Sequence, residues 1–525
     1  MQTNVMEYLE ATVQRVPDKV AFVDDTDQLT FRQVQDRSHA IGSFLISEGY
    51  RNEPIVVFMP KCANTLVAFF GTIYSGNFYV PLDSEMPLIR IEMILKMLNP
   101  RAIICNDATI EFVEKEIQFP GKIYHYNDLS VSQPDYIALN AVRAHQIDTD
   151  PIYIVFTSGS TGVPKGVTAC HRSVIDYIES LCEVLRPDEE TIFGSQTPFF
   201  FDACLKEVCP TLKYGAKMVI VPKKLFMFPV KLIEFLNEHQ INTICWVASA
   251  LSMISALKTF DKIVPKYLHT IAFASEVFPI KQFHAWQAAL PPDVRFINLY
   301  GPTEITGICC FYEVDRPFAE SEVLPVGRPF RNTGILLLDE NDREAAPGAQ
   351  GEICVRGTCL TLGYYKNPEM TAKSFVQNPL NDRYPERIYR TGDIGRYNDR
   401  GELVFLSRKD FQIKHMGHRI ELGEIEVAAN MQSGVVASCC LFDQNKKKII
   451  LCYAGEVTVA ELTAGLKTKL SRYMVPNAVK QLDEMPYTPN GKIDRNLLRS
   501  QFCSADSAGE PICNEKGDFN DGNPA

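Results

Sequence analysis

"TSGSTGVPKGV" (residues 157–167) follows directly on the apolar run Tyr153-Ile154-Val155-Phe156. A short apolar run of this kind reads as a buried strand, so the glycines begin where a strand empties into a loop. Gly159, Gly162 and Gly166 let the backbone approach a ligand and turn successive N–H groups toward one point. Thr157, Ser158, Ser160 and Thr161 add hydroxyls, and Lys165 adds a positive charge. Together these features suit an anion, and a polyphosphate best. A flexible linker shares the Gly and Ser content, but it has no use for the preceding strand, the rigid Val163-Pro164 pair or the lysine. The segment departs from G-x-x-x-x-G-K-[ST], because two residues separate Gly162 from Lys165. The next helical pattern, Val174, Ile178, Leu181 and Leu185, comes later in the chain. Loop amides and Lys165, rather than a helix dipole, therefore carry the anion.

Around this loop the chain alternates β-rich runs (55–59, 102–105, 218–221, 243–246, 269–273) with helix-like stretches, a rhythm that predicts an α/β fold with substantial parallel sheet. From 323 to 406 Gly-punctuated runs such as "GILLLDE" and "GEICVRG" predict a β-rich subdomain. A small α+β unit follows: a helix over 425–431, strands over 435–442 and 449–453, and a helix over 459–473 opened by the Thr458/Glu461 capping box. The polar, acidic tail 501–525 is expected to be disordered. The 525 residues allow two to four domains. The formal net charge of -11 argues against a nucleic-acid surface. No apolar run reaches the ~18 residues of a membrane span; the stretch 66–74 reads as a core helix. At the N-terminus Val5, Met6, Leu9, Val13 and Val16 share one helical face, with no secretory pattern. The 16 cysteines include no C-x-x-C pair, which favours buried free thiols and a reducing, cytoplasmic setting.

Four further polar clusters follow the loop in order: "NLYGPTE" (298–304), "YRTGD" (389–393), "SRKDFQIKHMGHRIELGEIE" (407–426) and "PNGKIDR" (489–495). With the loop they resemble the adenylate-forming superfamily, specifically the amino-acid adenylation domains of nonribosomal peptide synthetases and D-alanine:carrier-protein ligases, over roughly residues 5–498. The resemblance implies ATP-dependent activation of a carboxylate to an acyl-adenylate with loss of pyrophosphate, then transfer to the phosphopantetheine thiol of a separate carrier protein. It also implies an N-terminal core over 1–406, a hinge over 407–410 pivoting at Asp410, and a mobile C-terminal lid over 411–500. The family usually has Gly before Arg408, where this chain has Ser407, a departure that leaves the pivot at Asp410 intact.

By the same resemblance, Thr157, Ser158, Gly159, Thr161, Gly162 and Lys165 cradle the β- and γ-phosphates. Thr303 touches the α-phosphate and Glu304 holds Mg²⁺, whose hard charge suits carboxylate and phosphate oxygens. Asn298 hydrogen-bonds adenine, Tyr300 stacks on it, and Ala274, Ser275 and Glu276 line its other face. Asp393 takes the ribose hydroxyls with Arg408 nearby. Lys492 bridges substrate carboxylate and α-phosphate. Such chemistry is mostly electrostatic preorganisation.

"FDACLKE" (201–207) aligns with the start of the family's substrate pocket. Asp202 stands where amino-acid-activating members keep an aspartate for the α-ammonium, which favours an amino acid substrate over the alternative, an acyl- or aryl-CoA ligase of the same superfamily. Ala203, Lys206, Trp246, Ala272, Leu299, Gly307 and Ile308 are the other expected pocket residues, with Ala274 beside them. If Lys206 points inward it favours an acidic side chain; equally it could pair with Asp202 at i, i+4 or snorkel to the surface. The general likeness to D-alanine ligases suggests a small substrate, with Trp246 closing a shallow pocket, so small and acidic substrates both stay open. No carrier domain is recognisable after Lys492, so the chain reads as a stand-alone ligase.

Overall fold

The computed structural model describes residues 2–158, 163–409, 412–486 and 493–504. Contacts divide the chain into two compact units: Met1–Glu424 with Thr468–Tyr473, and Ile425–Lys467 with Met474–Ala525. The hairpin of Gln412–His415 and His418–Glu421 thus groups with the larger unit, beyond the expected boundary at 407–410. Asp410 lies outside the described residues, as do Gly159, Thr161, Gly162, Lys492 and the tail from 505.

Two large sheets carry the first unit. In one, the strands Thr270–Ala274, Thr243–Val247, Ile192–Ser195, Lys217–Ile220 and Val20–Val23 run parallel, with Arg295–Tyr300 parallel beside Thr270–Ala274. In the other, Pro54–Phe58 lies between Phe78–Pro81 and Ala102–Cys105, all parallel, and Pro151–Thr157 pairs antiparallel with Lys165–Cys170. Buried on both faces, Pro54–Phe58 reads as a continuous apolar run for that reason. The helix Ala63–Tyr74, buried around almost its whole circumference, accounts for the apolar stretch at 66–74. It packs against Phe31–Ser47 at Gly71, where a Cβ would sit 2.6 Å from that of Ile41, so only glycine permits the contact. Among the described residues no helix is long and apolar enough to cross a membrane.

The β-rich region forms a five-stranded sheet, with Gly351–Gly357 and Arg387–Tyr397 central. The second unit pairs Val435–Asp443 antiparallel with Lys448–Gly455, and the latter parallel with Ala478–Leu482. Thr458 and Glu461 form the capping box ahead of the helix Val459–Lys469. That helix ends at Lys469, four residues short of the expected 473; Arg472–Met474 continues as a separate 3-10 turn. The fifteen described cysteines are free thiols, including the adjacent couples 309/310 and 439/440.

Candidate active site

The strand-to-loop junction stands where the sequence places it. Pro151–Thr157 ends at the glycine loop and Lys165–Cys170 returns beside it, Thr157 opposite Lys165. Thr157 is buried, and its hydroxyl has no partner among the described residues. Ser158 donates its hydroxyl to the Arg419 carbonyl at 2.9 Å. The Lys165 ammonium lies 3.9 Å from Glu421 and over the Tyr364 ring.

Past Arg295–Tyr300 the chain turns sharply through "GPTE". A Cβ on Gly301 would stand 2.4 Å from the Gly307 carbonyl oxygen, so this position requires glycine. The turn continues through Thr306 and Gly307, both at positive φ. It seats Glu304 with no solvent exposure. One oxygen of Glu304 accepts from the Tyr364 hydroxyl at 2.8 Å, the other from the Arg419 guanidinium at 2.5 Å. Burial raises the Glu304 pKa, but Arg419 and the Tyr364 hydrogen bond outweigh it and hold the carboxyl below its ordinary range. Arg419 is fixed in turn by Gln412, which accepts from its Nε at 2.7 Å.

A second cluster gathers around Asp393, which is fully buried. Its Oδ2 accepts from the Tyr300 hydroxyl at 2.6 Å, and its Oδ1 is paired with Arg408. The Lys414 ammonium sits 5.3 Å from the centre of the Tyr300 ring, its pKa lowered by burial. Each Asp393 oxygen keeps a further lone pair for another donor. Asn298, two residues before Tyr300, donates its amide to the Pro325 carbonyl at 2.8 Å. Ala274 ends its strand; Ser275 follows at a φ of +76°, and Glu276 accepts from the Gly417 backbone at 3.4 Å.

The third cluster centres on Asp202, at the start of a 3-10 turn leading into the helix Leu205–Tyr214. Its Oδ1 accepts from Thr303 at 3.2 Å, and its Oδ2 lies 3.4 Å from the place a Cβ on Gly307 would occupy. Burial is the main cause that pushes the Asp202 carboxyl up to about 6; the negative charge of Glu304 adds to it, while Thr303 and Lys206 oppose it. Ala203 is half-buried. Ala272, Ala274, Leu299 and Ile308 belong to one apolar cluster with Tyr177, Cys204 and Cys245.

Trp246 does not join them, which corrects its place in the pocket. Side chains alternate along a strand, so Cys245 faces Ala272 and Leu299 while Trp246 falls on the other face with Ile271, Phe273 and Phe296. There its indole N–H donates to Gly194 at 2.7 Å and its ring meets Phe226 edge-on. Lys206 is likewise no snorkelling residue. It is 1% exposed, and its ammonium makes no hydrogen bond to the described residues. Residues that the sequence reading missed are Arg419, Lys414 and Tyr364 at the first two clusters, and Tyr177, Cys245, Glu207 and Lys61 at the third. The parity of strand 243–247 already pointed to Cys245, and "HRIELGEIE" contains Arg419 without revealing its partner.

A family model described as "AMP-binding enzyme" matches residues 9–365. Gramicidin S synthase 2 of Brevibacillus brevis is 31% identical over 95% of this chain, which spans 11% of that synthase's length. Among solved structures, an artificially fused adenylation-PCP di-domain from Klebsiella oxytoca superposes with a TM-score of 0.78 at 20% identity, covering 92% of this chain and 95% of its own. The o-succinylbenzoate CoA synthetase of Bacillus subtilis gives 0.80 at 19% identity, covering 95% and 98%. At such identities both likenesses concern the fold alone.

Proposed function

Because the chain belongs to the family of AMP-binding enzymes, we propose that it activates an α-amino acid with ATP, releasing pyrophosphate, and passes the aminoacyl group to the phosphopantetheine thiol of a carrier protein. The observation that carries the amino-acid reading is Asp202, a buried carboxylate held by Thr303 next to Glu304. A buried ammonium needs an opposite charge, and a fatty or aromatic acid would leave this aspartate without a use.

In this reading the carboxylate of the amino acid attacks the α-phosphorus of ATP, the acyl-adenylate forms, and pyrophosphate leaves. Ser158 and Lys165, with the loop residues Gly159, Thr161 and Gly162, hold the departing phosphates, and Asp393 holds the ribose. Glu304 suits Mg²⁺, which typically takes one or two carboxylates together with phosphate oxygens and water. Both Glu304 oxygens already have donors, so Arg419 would have to yield one of them. Bound there, Mg²⁺ would neutralise charge developing on the phosphates. Lys492, outside the described residues, keeps its proposed bridging role on the strength of "PNGKIDR".

Amino-acid-dependent exchange of labelled pyrophosphate into ATP tests the reading. Exchange driven by at least one amino acid, lost in Asp202→Asn and in Lys492→Ala, is expected. Exchange driven only by acids that lack an α-amino group would refute it. Offering coenzyme A beside a phosphopantetheinylated carrier protein then identifies the acceptor, and preference for coenzyme A would refute the carrier half.

A further inference from the structure

Lys206 is among the largest fully buried side chains of the protein, and no hydrogen-bond partner among the described residues meets its ammonium. Leaving a cation dry and unpaired is costly. The neighbouring acids do not satisfy it. Among the described residues no carboxylate comes within ion-pair distance, and both oxygens of the adjacent, fully buried Glu207 are themselves without a donor. Lys61 reaches the same region and donates to the Ser195 carbonyl at 2.8 Å. The hydroxyl of Tyr177 is a third orphan, buried and unpartnered. Of these, Lys206 and Tyr177 are the two tied to Asp202. The Tyr177 ring and the Asp202 carboxylate both lie within 4 Å of the point where Gly307 would carry a Cβ. The charge of Lys206 is felt at Asp202, at Glu207 and at Cys245, which shares an apolar cluster with Ala272 and Leu299.

Charge counting decides what this corner accepts. If Asp202 takes the α-ammonium of an amino acid, one carboxylate then faces the substrate's ammonium and that of Lys206, with the Lys61 ammonium felt at the adjacent Glu207. Glu207 is a poor second counter-charge, because burial pushes its carboxyl up to about 8. A neutral side chain would leave this imbalance inside the protein. A carboxylate side chain lessens it and offers two acceptor oxygens to two waiting donors, the Lys206 ammonium and the Tyr177 hydroxyl. We propose that Lys206 and Tyr177 form the side-chain subsite for an acidic amino acid, of the aspartate or glutamate class. This inference rests on the adenylation reading above.

The test is pyrophosphate exchange by the full chain with aspartate, glutamate, asparagine, glutamine, alanine and leucine. One of the two acids should exceed its own amide by about 100-fold in kcat/KM, the scale of losing one partner of a buried charge pair. In Lys206→Met, which keeps the volume and removes the charge, that acid-to-amide ratio should fall toward one, mainly through KM. A wild-type enzyme that prefers a neutral amino acid, or a Lys206→Met variant that retains the acid-to-amide ratio, overturns the subsite while leaving amino-acid activation standing. Exchange with none of these six overturns the subsite, and exchange driven only by acids that lack an α-amino group overturns the adenylation reading with it. Should Lys206→Met fail to fold, the wild-type ratio alone decides.

Discussion

Replacing Arg419 by methionine removes the only cation hydrogen-bonded to Glu304 among the described residues. The carboxylate keeps the Tyr364 hydroxyl but sits at zero exposure. Removing one member of a buried pair typically costs about 3–5 kcal/mol. Protonation limits that cost. A carboxyl with an unfolded value of 4.5 can be neutralised at pH 7 for about 3.4 kcal/mol, and at pH 5 for about 0.7 kcal/mol. In the wild type the folded pKa is lowered, so the pair's stabilisation is present above the unfolded value and is lost as pH falls through the folded one. In the variant burial is opposed by hydrogen bonds alone, without the guanidinium, and the folded pKa is expected to rise, so the penalty fades as pH falls toward the unfolded value. At pH 5, still above the unfolded value, the pair's own stabilisation remains and only the variant's penalty has faded. Both tryptophans, Trp246 and Trp286, lie in the larger unit, so urea unfolding followed by their fluorescence reports on that unit alone. A double-mutant cycle of Arg419→Met with Glu304→Gln should give a coupling of about 3 kcal/mol or more at pH 7, lower by about 2–3 kcal/mol at pH 5. Coupling below about 0.5 kcal/mol at pH 7, or equal coupling at both pH values, would show that this ion pair does not govern Glu304.

If Asp202 takes the α-ammonium as proposed, its pKa of about 6 sets the acid limb: kcat/KM should fall about tenfold per pH unit below it and level off above. Because that folded value is raised, ionised Asp202 costs stability above about pH 6, and the cost vanishes toward the unfolded value near 3.8. Asp202→Asn should therefore hold or raise the urea midpoint at pH 7.5 while exchange is lost; a lowered midpoint would contradict the burial argument. Gly301→Ala should cost about 1–3 kcal/mol, since the new methyl meets backbone rather than a side chain that can move. Gly348→Ala, at a φ of +78° with open space around it, should cost only about 1 kcal/mol from its backbone conformation. Ellman's reagent should count 16 thiols in denaturant, matching the sequence, and far fewer in the native protein, where thirteen of the described cysteines are buried.

Elements whose period is local were legible from the residues. The strand before the glycine loop, the helix over His171–Leu185 and the capping box at Thr458 each rest on side chains a few positions apart. Trp246 was misplaced because alignment to a family segment gives an approximate position, and an error of one residue in a strand exchanges its faces. Lys206 was ambiguous for a different reason. A lysine four residues after an aspartate has the same sequence whether it is solvated or buried, and only the packing of Tyr177, Cys245 and Leu205 around the helix start decides. The contacts of the hairpin 412–421 lay beyond any local signal. Ser158 meets Arg419 across 261 positions and Glu304 meets it across 115.

Asp202 and Glu304 are both buried carboxylates joined through neighbouring residues, since Thr303 donates to Asp202 and precedes Glu304 in the same turn. Their environments nevertheless move their acidities in opposite directions. A guanidinium and a phenol hold Glu304 ionised; Asp202 has one hydroxyl, distant charge from Lys206 and the field of Glu304 against it. Such a separation assigns different work to two like groups. A carboxylate that stays anionic across the working pH range can hold a divalent cation, because protonation does not compete for it. On the proposed reading, the one poised near neutrality takes the substrate's ammonium and gains its own ionisation in the act, so part of the amino acid's binding energy goes into removing a proton from Asp202. Affinity at this site should therefore depend on pH more steeply than nucleotide affinity does, and the difference between the two profiles isolates Asp202 from the rest of the machinery.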